Sequence, residues 1–319
     1  MSKIQGENIL IFGGSGSLGT QLCERWNKDN TILIFSRNEV LQWKLNQKYK
    51  NLEFRIGDIR NRISVRDVIH EFKPTIIVIA SALKHIDICE NNIEEACLTN
   101  ITGINNIFRE CCRLKDTFLK KVLLISTDKA CSPINVYGMS KSIGEKIAVS
   151  YSKKNPDISF TIVRYGNVIS SSGSLFQVYN NIAKDASAEY FSVTDNRMTR
   201  FLMSLDQSID LIENTLVYGE SGCIHIPQIK SYKIHDIALY YSKTYNKPIK
   251  ITGIRQNEKI HEELMNETEF IKSVVSEHFI KITDRVTKDC HPLSYSSINT
   301  SEIFDEKGEY IFKQYLPEK

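Results

Sequence analysis

Short apolar runs recur along the first two-thirds of the chain, each closed by a glycine or polar turn and most followed by a stretch of helical period. Asn8–Phe12, Thr31–Phe35, Leu52–Ile56, Thr75–Ala80, Val122–Ile125 and Phe160–Tyr165 read as strands, with Thr75–Ala80 fully apolar and Val122–Ile125 buried. Leu18, Leu22 and Trp26, spaced by four, predict a helix after the first strand. Ile93–Leu114 reads as one long helix with Ala96, Thr99, Ile104 and Phe108 inward, and Tyr137–Ala148 as another. Strands and helices alternating at this pace predict an α/β fold with a mostly parallel, doubly wound sheet.

Beyond Val168 the pattern loosens. A flexible loop (Ser170–Ser174), a helix (Leu175–Ala183) and a polar turn (Thr194–Arg197) precede a helix (Asp206–Val217) and a strand (Cys223–Ile226) that return to the sheet. Lys233–Tyr245 and Ile249–Ile254 then suggest a smaller lobe. The expected division is one domain of residues 1–168 with 202–226, and a C-terminal lobe of 169–201 with 227–319. The last ~40 residues are polar and weakly periodic, and their structure stays open.

Charge changes this picture little. Lys+Arg 41 against Asp+Glu 38 gives a near-balanced chain with no argument for nucleic acid or an anionic membrane, while a small anionic ligand remains compatible. No signal-like start and no run of about 18 apolar residues occurs, so a soluble, cytoplasmic protein is expected. The eight cysteines show no CxxC pair and no Cys/His ligand spacing, which points to reduced thiols and no metal. Cys131 follows a reactive triplet, but a packing role in its loop explains it.

Candidate chemistry lies where strands end. After Phe12 comes a turn with Gly13, Gly16 and Gly19 around Ser17 and Leu18, a variant of the dinucleotide fingerprint; glycines let the backbone approach a pyrophosphate at a helix start. The second strand ends in Ser36-Arg37 rather than an acid, which suits a 2′-phosphate and hence NADP. Asp58 either accepts from an adenine amino group or caps the following turn. Small residues Ala80 and Ala82 allow a cofactor past the fourth strand, with Lys84 facing the crevice; His85, a lone histidine beside apolar residues, reads more readily as a structural group than as a catalyst. Thr99-Asn100 either bonds the neighbouring loops or faces solvent. Arg197 and Arg200 bracket a dipeptide and either grip a diphosphate or form surface ion pairs.

The densest stretch is Ile125–Lys146. It carries Thr127, Asp128 and Lys129 at a strand end, then Tyr137, Ser140 and Lys141 at a helix start, with Lys141 one turn beyond Tyr137 on the same face. A phenol and an ammonium so placed suggest an acid/base couple.

GGSGSLG (13–19), TDK (127–129) and YGMSK (137–141) resemble the extended short-chain dehydrogenase/reductases, whose active site is a Ser/Thr with Tyr-x-x-x-Lys. More closely, SRNE (36–39), GDIR (57–60), ALKHID (82–87), STDKACSPINVYGMSK (126–141), VRYGNV (163–168), VTDNRMTRF (193–201) and GIRQNEKIHE (253–262) resemble the inverting UDP-N-acetylglucosamine 4,6-dehydratases. The resemblance implies a Rossmann-like NADP-binding domain with a substrate-binding lobe. It implies cofactor contacts at Gly13, Gly16, Ser17, Leu18, Gly19, Ser36, Arg37, Asp58, Ile59, Ala80, Ala82, Lys84, Thr99, Tyr137 and Lys141. A UDP-sugar would be held by Lys84, His85, Asn167, Thr194, Arg197, Arg200, Arg255 and Glu258. Homo-oligomers, dimer or hexamer, are common in such families. Departures are Ser172 for an expected arginine, Asp87 for proline, and Gln256-Asn257 for Pro-Gly.

In the implied reaction Thr127, Tyr137 and Lys141 serve oxidation at C4, with the Lys141 charge favouring the phenolate. Lys129, made neutral by burial, removes the C5 proton, and a protonated Asp128 gives its proton to the departing C6 hydroxyl. Asp128-Lys129 favours inversion at C5, because the retaining 4,6-dehydratases that this sequence also resembles carry Asp-Glu at that pair; two further readings compete. A UDP-sugar 4-epimerase needs only the Thr/Tyr/Lys set and has no use for Asp128-Lys129, and an NADP-binding scaffold would tolerate a broken Tyr-x-x-x-Lys.

Overall fold

A computed structural model describes residues 3–114, 118–169, 173–288 and 291–298. Five strands build the nucleotide half of its sheet: β1 (Asn8–Phe12), β2 (Thr31–Ser36), β3 (Glu53–Ile56), β4 (Ile76–Ile79) and β5 (Lys121–Thr127); β6 (Ser159–Tyr165) continues it. All are parallel, in the order β6-β5-β4-β1-β2-β3. Alternation along β1, β2 and β4 sends Leu10, Phe12, Leu33, Phe35, Ile77 and Ile79 to one face. Ile9, Ile11, Ile32, Ile34, Ile76 and Val78 go to the other. Each face is roofed by helices, Arg62–Phe72 and Ile104–Cys111 on the first, Ser17–Trp26 and Leu205–Tyr218 on the second. Double burial is why these strands read as unbroken apolar runs. Strand order reverses between β1 and β4, and the crevice beyond their carboxyl ends is where such a sheet receives a ligand.

Two expectations change. Ile224–Ile226 pairs with β6 as expected, but Ile280–Ile282 and Ser273–Val275 then add antiparallel strands beside it, so among the described residues nine strands form the sheet. The segment 273–282 was expected in the lobe; short strands with lysine or serine among the isoleucines and valines carry too weak a period to reveal their pairing. Second, Ile93–Leu114 is not one α-helix: Ile93–Cys97 runs into a π-helical turn, Leu98–Gly103, before Ile104–Cys111. The lobe has its own core, in which Tyr179, Phe191 and Tyr241 meet with ring centroids 5.3–5.5 Å apart. Residues 170–172, Cys290 and the chain after Ile298 lie outside the described residues, and with them the expectations for Ser172, most of the Ser170–Ser174 loop and Cys290.

Candidate active site

The glycine turn divides its labour. A Cβ on Gly13 would lie 2.6 Å from the Ser81 nitrogen, and one on Gly19 would lie 2.4 Å from the Gly14 Cα, so these two glycines let the turn close on the exit of β4 and on the helix start. Gly16 differs, because an added Cβ there meets nothing nearer than the Gly13 carbonyl at 3.5 Å. Its face is open, as close approach of a ligand requires. Ser17 and Leu18 begin the helix beside it. Nearby, Ser81 Oγ and Thr99 Oγ1 are buried with no hydrogen-bond partner among the described residues, which suits a polar ligand that would satisfy them. The residues present therefore fit a dinucleotide.

At the end of β2, Ser36 Oγ lies 2.9 Å from Ser15 Oγ and accepts from Gln42 Nε2 at 2.8 Å. Arg37 is half exposed, 3.8 Å from the Asp58 carboxylate. Asp58 also caps the next turn, accepting from the Arg60 backbone at 2.9 Å, and pairs with the Arg60 guanidinium at 2.7 Å. Of its two readings the cap is present. The Ile59 side chain is core, packed on Gly103, and its carbonyl accepts from Asn106 at 3.1 Å. Ala80 and Ala82 flank Ser81 at half-buried positions, and burial lowers the proton affinity of Lys84 just beyond. Asn100 explains how this loop is held: its side chain bonds both the N–H and the carbonyl of Leu83, at 2.8 and 2.9 Å, and Ser140 Oγ at 3.0 Å. The π-helical turn carries Thr99 and Asn100 and is the kind of local irregularity often kept at functional sites.

The helix Val136–Lys154 starts against the strand-end triplet. Asn135 caps it through Gly138 at 2.8 Å, and Gly138 leaves room for the Lys129 carbonyl, which a Cβ would meet at 2.2 Å. Thr127 ends β5, and Asp128–Ala130 forms a single 3-10 turn. Thr127 Oγ1 donates to Asp128 Oδ1 at 2.9 Å, and Lys129 Nζ donates to the same oxygen at 3.0 Å. Asp128 is fully buried and its Oδ2 accepts no hydrogen bond among the described residues.

Two expectations about charge are revised. Burial alone would lower the proton affinity of Lys129, but Asp128 and Glu262, the latter 3.3 Å from Nζ, outweigh it and hold the group as an ammonium. Tyr137 is pushed up to about 12 by burial, and what draws it back is Lys129 and a hydrogen bond with Thr127. Lys141 donates instead to the Ile125 carbonyl, and burial takes it down to about 8. Thr127, Asp128, Lys129 and Tyr137 are thus one electrostatic unit, with Lys141 braced behind it.

Glu262 had no assigned role, although it closes the segment GIRQNEKIHE. It enters from the far end of the chain with its neighbours. Lys259 Nζ donates to the Cys131 carbonyl at 2.8 Å. Buried Arg200 donates to the Thr199, Ile260 and Lys259 carbonyls at 2.8, 3.0 and 2.9 Å, and lies 3.5 Å from Glu258. Arg197, by contrast, is exposed and bound to Asp195 in its own turn at 2.8 Å. The two guanidiniums serve different partners and form no joint grip. Thr194 Oγ1 contacts the Met198 sulfur at 3.3 Å, and Asn167 Oδ1 is buried without a hydrogen-bond partner among the described residues.

Two of the sequence departures make contacts of their own. Asp87 lies 3.9 Å from Arg255, and Asn257 donates to Glu90 at 2.9 Å while its carbonyl accepts from Asn135 at 3.2 Å. Glu90 also accepts from the Val136 N–H at 2.7 Å, tying the loop to the start of the Tyr137 helix. Asn257 has φ +62°, a left-handed conformation that asparagine tolerates better than most residues. His85 is exposed and faces Gly173, where a Cβ would lie 2.9 Å from its ring.

A doubly wound sheet with a glycine turn after β1 and a Thr/Tyr/Lys set beyond β5 defines a protein of the extended short-chain dehydrogenase/reductase class. Residues 9–284 match the model of a family described as polysaccharide biosynthesis protein, and the chain belongs to that family. It is 33% identical over 317 residues to a UDP-N-acetylglucosamine 4,6-dehydratase (inverting) of Campylobacter jejuni (strain 81-176), spanning 96% of this chain and 90% of that one. It is 35% identical over 317 residues to a UDP-glucose 4-epimerase of Rickettsia bellii (strain OSU 85-389), spanning 96% and 88%. The X-ray structure of Pen from Bacillus thuringiensis is similar with a TM-score of 0.85 and 30% identity, covering 93% of this chain and 95% of that one. Among the described residues no helix is long and apolar enough to cross a membrane.

Proposed function

We propose that the protein is an NADP-dependent, inverting UDP-N-acetylglucosamine 4,6-dehydratase, a lyase with a redox intermediate. The observation that carries this reading is the buried carboxylate–ammonium contact of Asp128 and Lys129, 3.0 Å apart beside Tyr137. Oxidation and return of hydride at C4 need no such pair, whereas elimination needs both a base and an acid. The name of the Campylobacter relative supports this, and the name of the Rickettsia relative keeps 4-epimerisation as the alternative.

A bound NADP would supply the hydride acceptor for C4 and the donor for C6, and would stay through the cycle. The open face of Gly16 and the turn Gly13–Gly19 would meet its pyrophosphate, Ser36 and Arg37 its 2′-phosphate, and Tyr137 and Lys141 its nicotinamide half. Thr127 and Tyr137 would hold the C4 oxygen, with Tyr137 taking the hydroxyl proton. A ketone at C4 acidifies C5. Lys129 then removes the C5 proton while Asp128 protonates the departing C6 oxygen, which leaves as water.

That step requires a neutral amine and a neutral acid, yet Asp128 and Glu262 hold the ligand-free Lys129 as an ammonium. One proton moving across the 3.0 Å hydrogen bond from Lys129 to Asp128 gives the working form without any net gain or loss. A sugar that excludes water from the site favours this neutral pair, since low dielectric penalises separated charges least when they are discharged. Elimination then regenerates the ion pair. Lys84, Asn167, Thr194, Arg255 and Glu258 remain the candidates for the UDP-sugar, with His85, Arg197 and Arg200 at its margins. Work in the cytoplasm and assembly as a homo-oligomer complete the reading.

The test is incubation with UDP-N-acetylglucosamine. Mass spectrometry is expected to show loss of one water, and proton NMR of fresh product the L-arabino 4-keto sugar. A D-xylo product would remove the inversion, and an unchanged mass with the C4 epimer would establish the alternative.

A further inference from the structure

Beyond the strand-end pair, Glu262 is the only other acid against Lys129 among the contacts described: its Oε1 stands 3.3 Å from Nζ on the side opposite in sequence to Asp128. Glu262 is buried, and its Oε2 accepts no hydrogen bond among the described residues, although Lys259 lies 4.0 Å away. A carboxylate with a free oxygen in a dry site is expensive to keep as a purely structural brace, because a neutral glutamine or an apolar residue would fill the space without that desolvation cost. The expense is explained if the ammonium that Glu262 faces at rest must be discharged and then re-formed beside it during the reaction.

We propose that Glu262 is a positioning residue for Lys129, aiming its amine and stabilising the ammonium that forms as the C5 proton is taken. This rests on the dehydratase reading. In the step itself an N–H bond forms on Lys129 as C5–H breaks, and the electron pair becomes the C5–C6 double bond. The C6–O bond breaks, and Asp128 supplies the proton with which the oxygen leaves as water. Lys129 ends charged and Asp128 ionised. Glu262, 3.3 Å from Nζ, favours the side of the step on which the ammonium stands. Oxidation at C4 creates no charge on Lys129 and is indifferent to Glu262. The other charged or titratable groups around this contact are Asp128 and Tyr137 on the strand-end side, and Arg200, Lys259, Glu258 and His261 on the lobe side.

Glu262→Gln keeps the shape and removes the charge. The expected result is a fall of about tenfold or more in kcat for dehydration, with KM nearly constant. Solvent deuterium at C5 should appear more slowly by the same factor. The alkaline limb of the kcat profile should move to lower pH, because the amine loses a partner that holds its proton. Glu262→Asp should recover part of each change. A structural brace would instead lower thermal stability and leave the limb where it was. If the wild-type enzyme dehydrates UDP-N-acetylglucosamine while Glu262→Gln matches it in C5 exchange and pH limb per folded molecule, the inference is wrong and the parent reading stands. If the wild type itself never loses water, both fall together.

Discussion

Two buried charge clusters flank the end of β5, and they differ in one respect. Around Arg164 every donor is used: Nε and Nη2 reach Glu145 at 3.0 and 2.7 Å, Nη1 and Nη2 reach Glu269 at 2.8 Å each, and Nη1 also meets the Leu264 carbonyl at 2.9 Å. Glu145 further accepts from Ser126 at 2.6 Å, and Glu269 from Asn266 at 3.2 Å. Around Lys129, Asp128 and Glu262 each keep an oxygen that accepts no hydrogen bond among the described residues. The saturated cluster fastens β6, the Tyr137 helix and the segment near residue 269 into one frame. The unsaturated cluster has capacity left for a substrate, and the comparison separates architecture from chemistry.

The largest expected effect sharpens the chemical side. Lys129→Ala should lower dehydration by roughly 10²–10⁴-fold, the range of a lost general base, while retaining cofactor and slow C4 chemistry. Rates of water loss and of cofactor reduction, measured on the same protein, check it; dehydration at the wild-type rate would sink the assignment of the base. Arg164→Met tests the frame. Leaving Glu145 and Glu269 buried without their cation should cost about 3–5 kcal/mol of stability, read from denaturant melts. A loss below about 1 kcal/mol would mean the saturated cluster is not the fastening it looks to be.

Lys141 belongs to neither cluster and gives the smallest effect. Its ammonium is held at about 8 by burial, against an ordinary 10.5, so below pH 8 the folded protein carries a buried charge that the unfolded chain leaves in water. Between about 8 and 10.5 the unfolded state binds the extra proton, and stability rises with pH. Lys141→Met should therefore be more stable than wild type below pH 8, by up to about 3 kcal/mol, with the advantage fading by pH 10.5. Melts across that window decide it, and a constant difference would contradict it.

Much of this was legible locally. Strand, glycine turn and helix at residues 8–26 are contiguous, so period and turn chemistry expose them, and the same holds for the run from Val122 to Lys141. What failed to show was non-local. Glu262 reaches Lys129 across more than a hundred residues, and nothing in its own neighbourhood says which cation it will meet. Arg197 and Arg200 looked alike by spacing, yet Asp195, two residues away, captured one and backbone carbonyls buried the other. The strands near residues 273–282 were hidden by weak alternation, and the π-helical turn at Leu98–Gly103 breaks a pattern that a helical period alone cannot distinguish from a continuous helix.

In the proposed reaction the acid–base pair of Asp128 and Lys129 would turn an oxidised sugar toward elimination. The most direct measurement is NMR of the product formed from UDP-N-acetylglucosamine in D2O. The account predicts a dehydrated 4-keto sugar whose C5 carries solvent deuterium in the inverted configuration. A product of unchanged mass that keeps its original C5 hydrogen would contradict it.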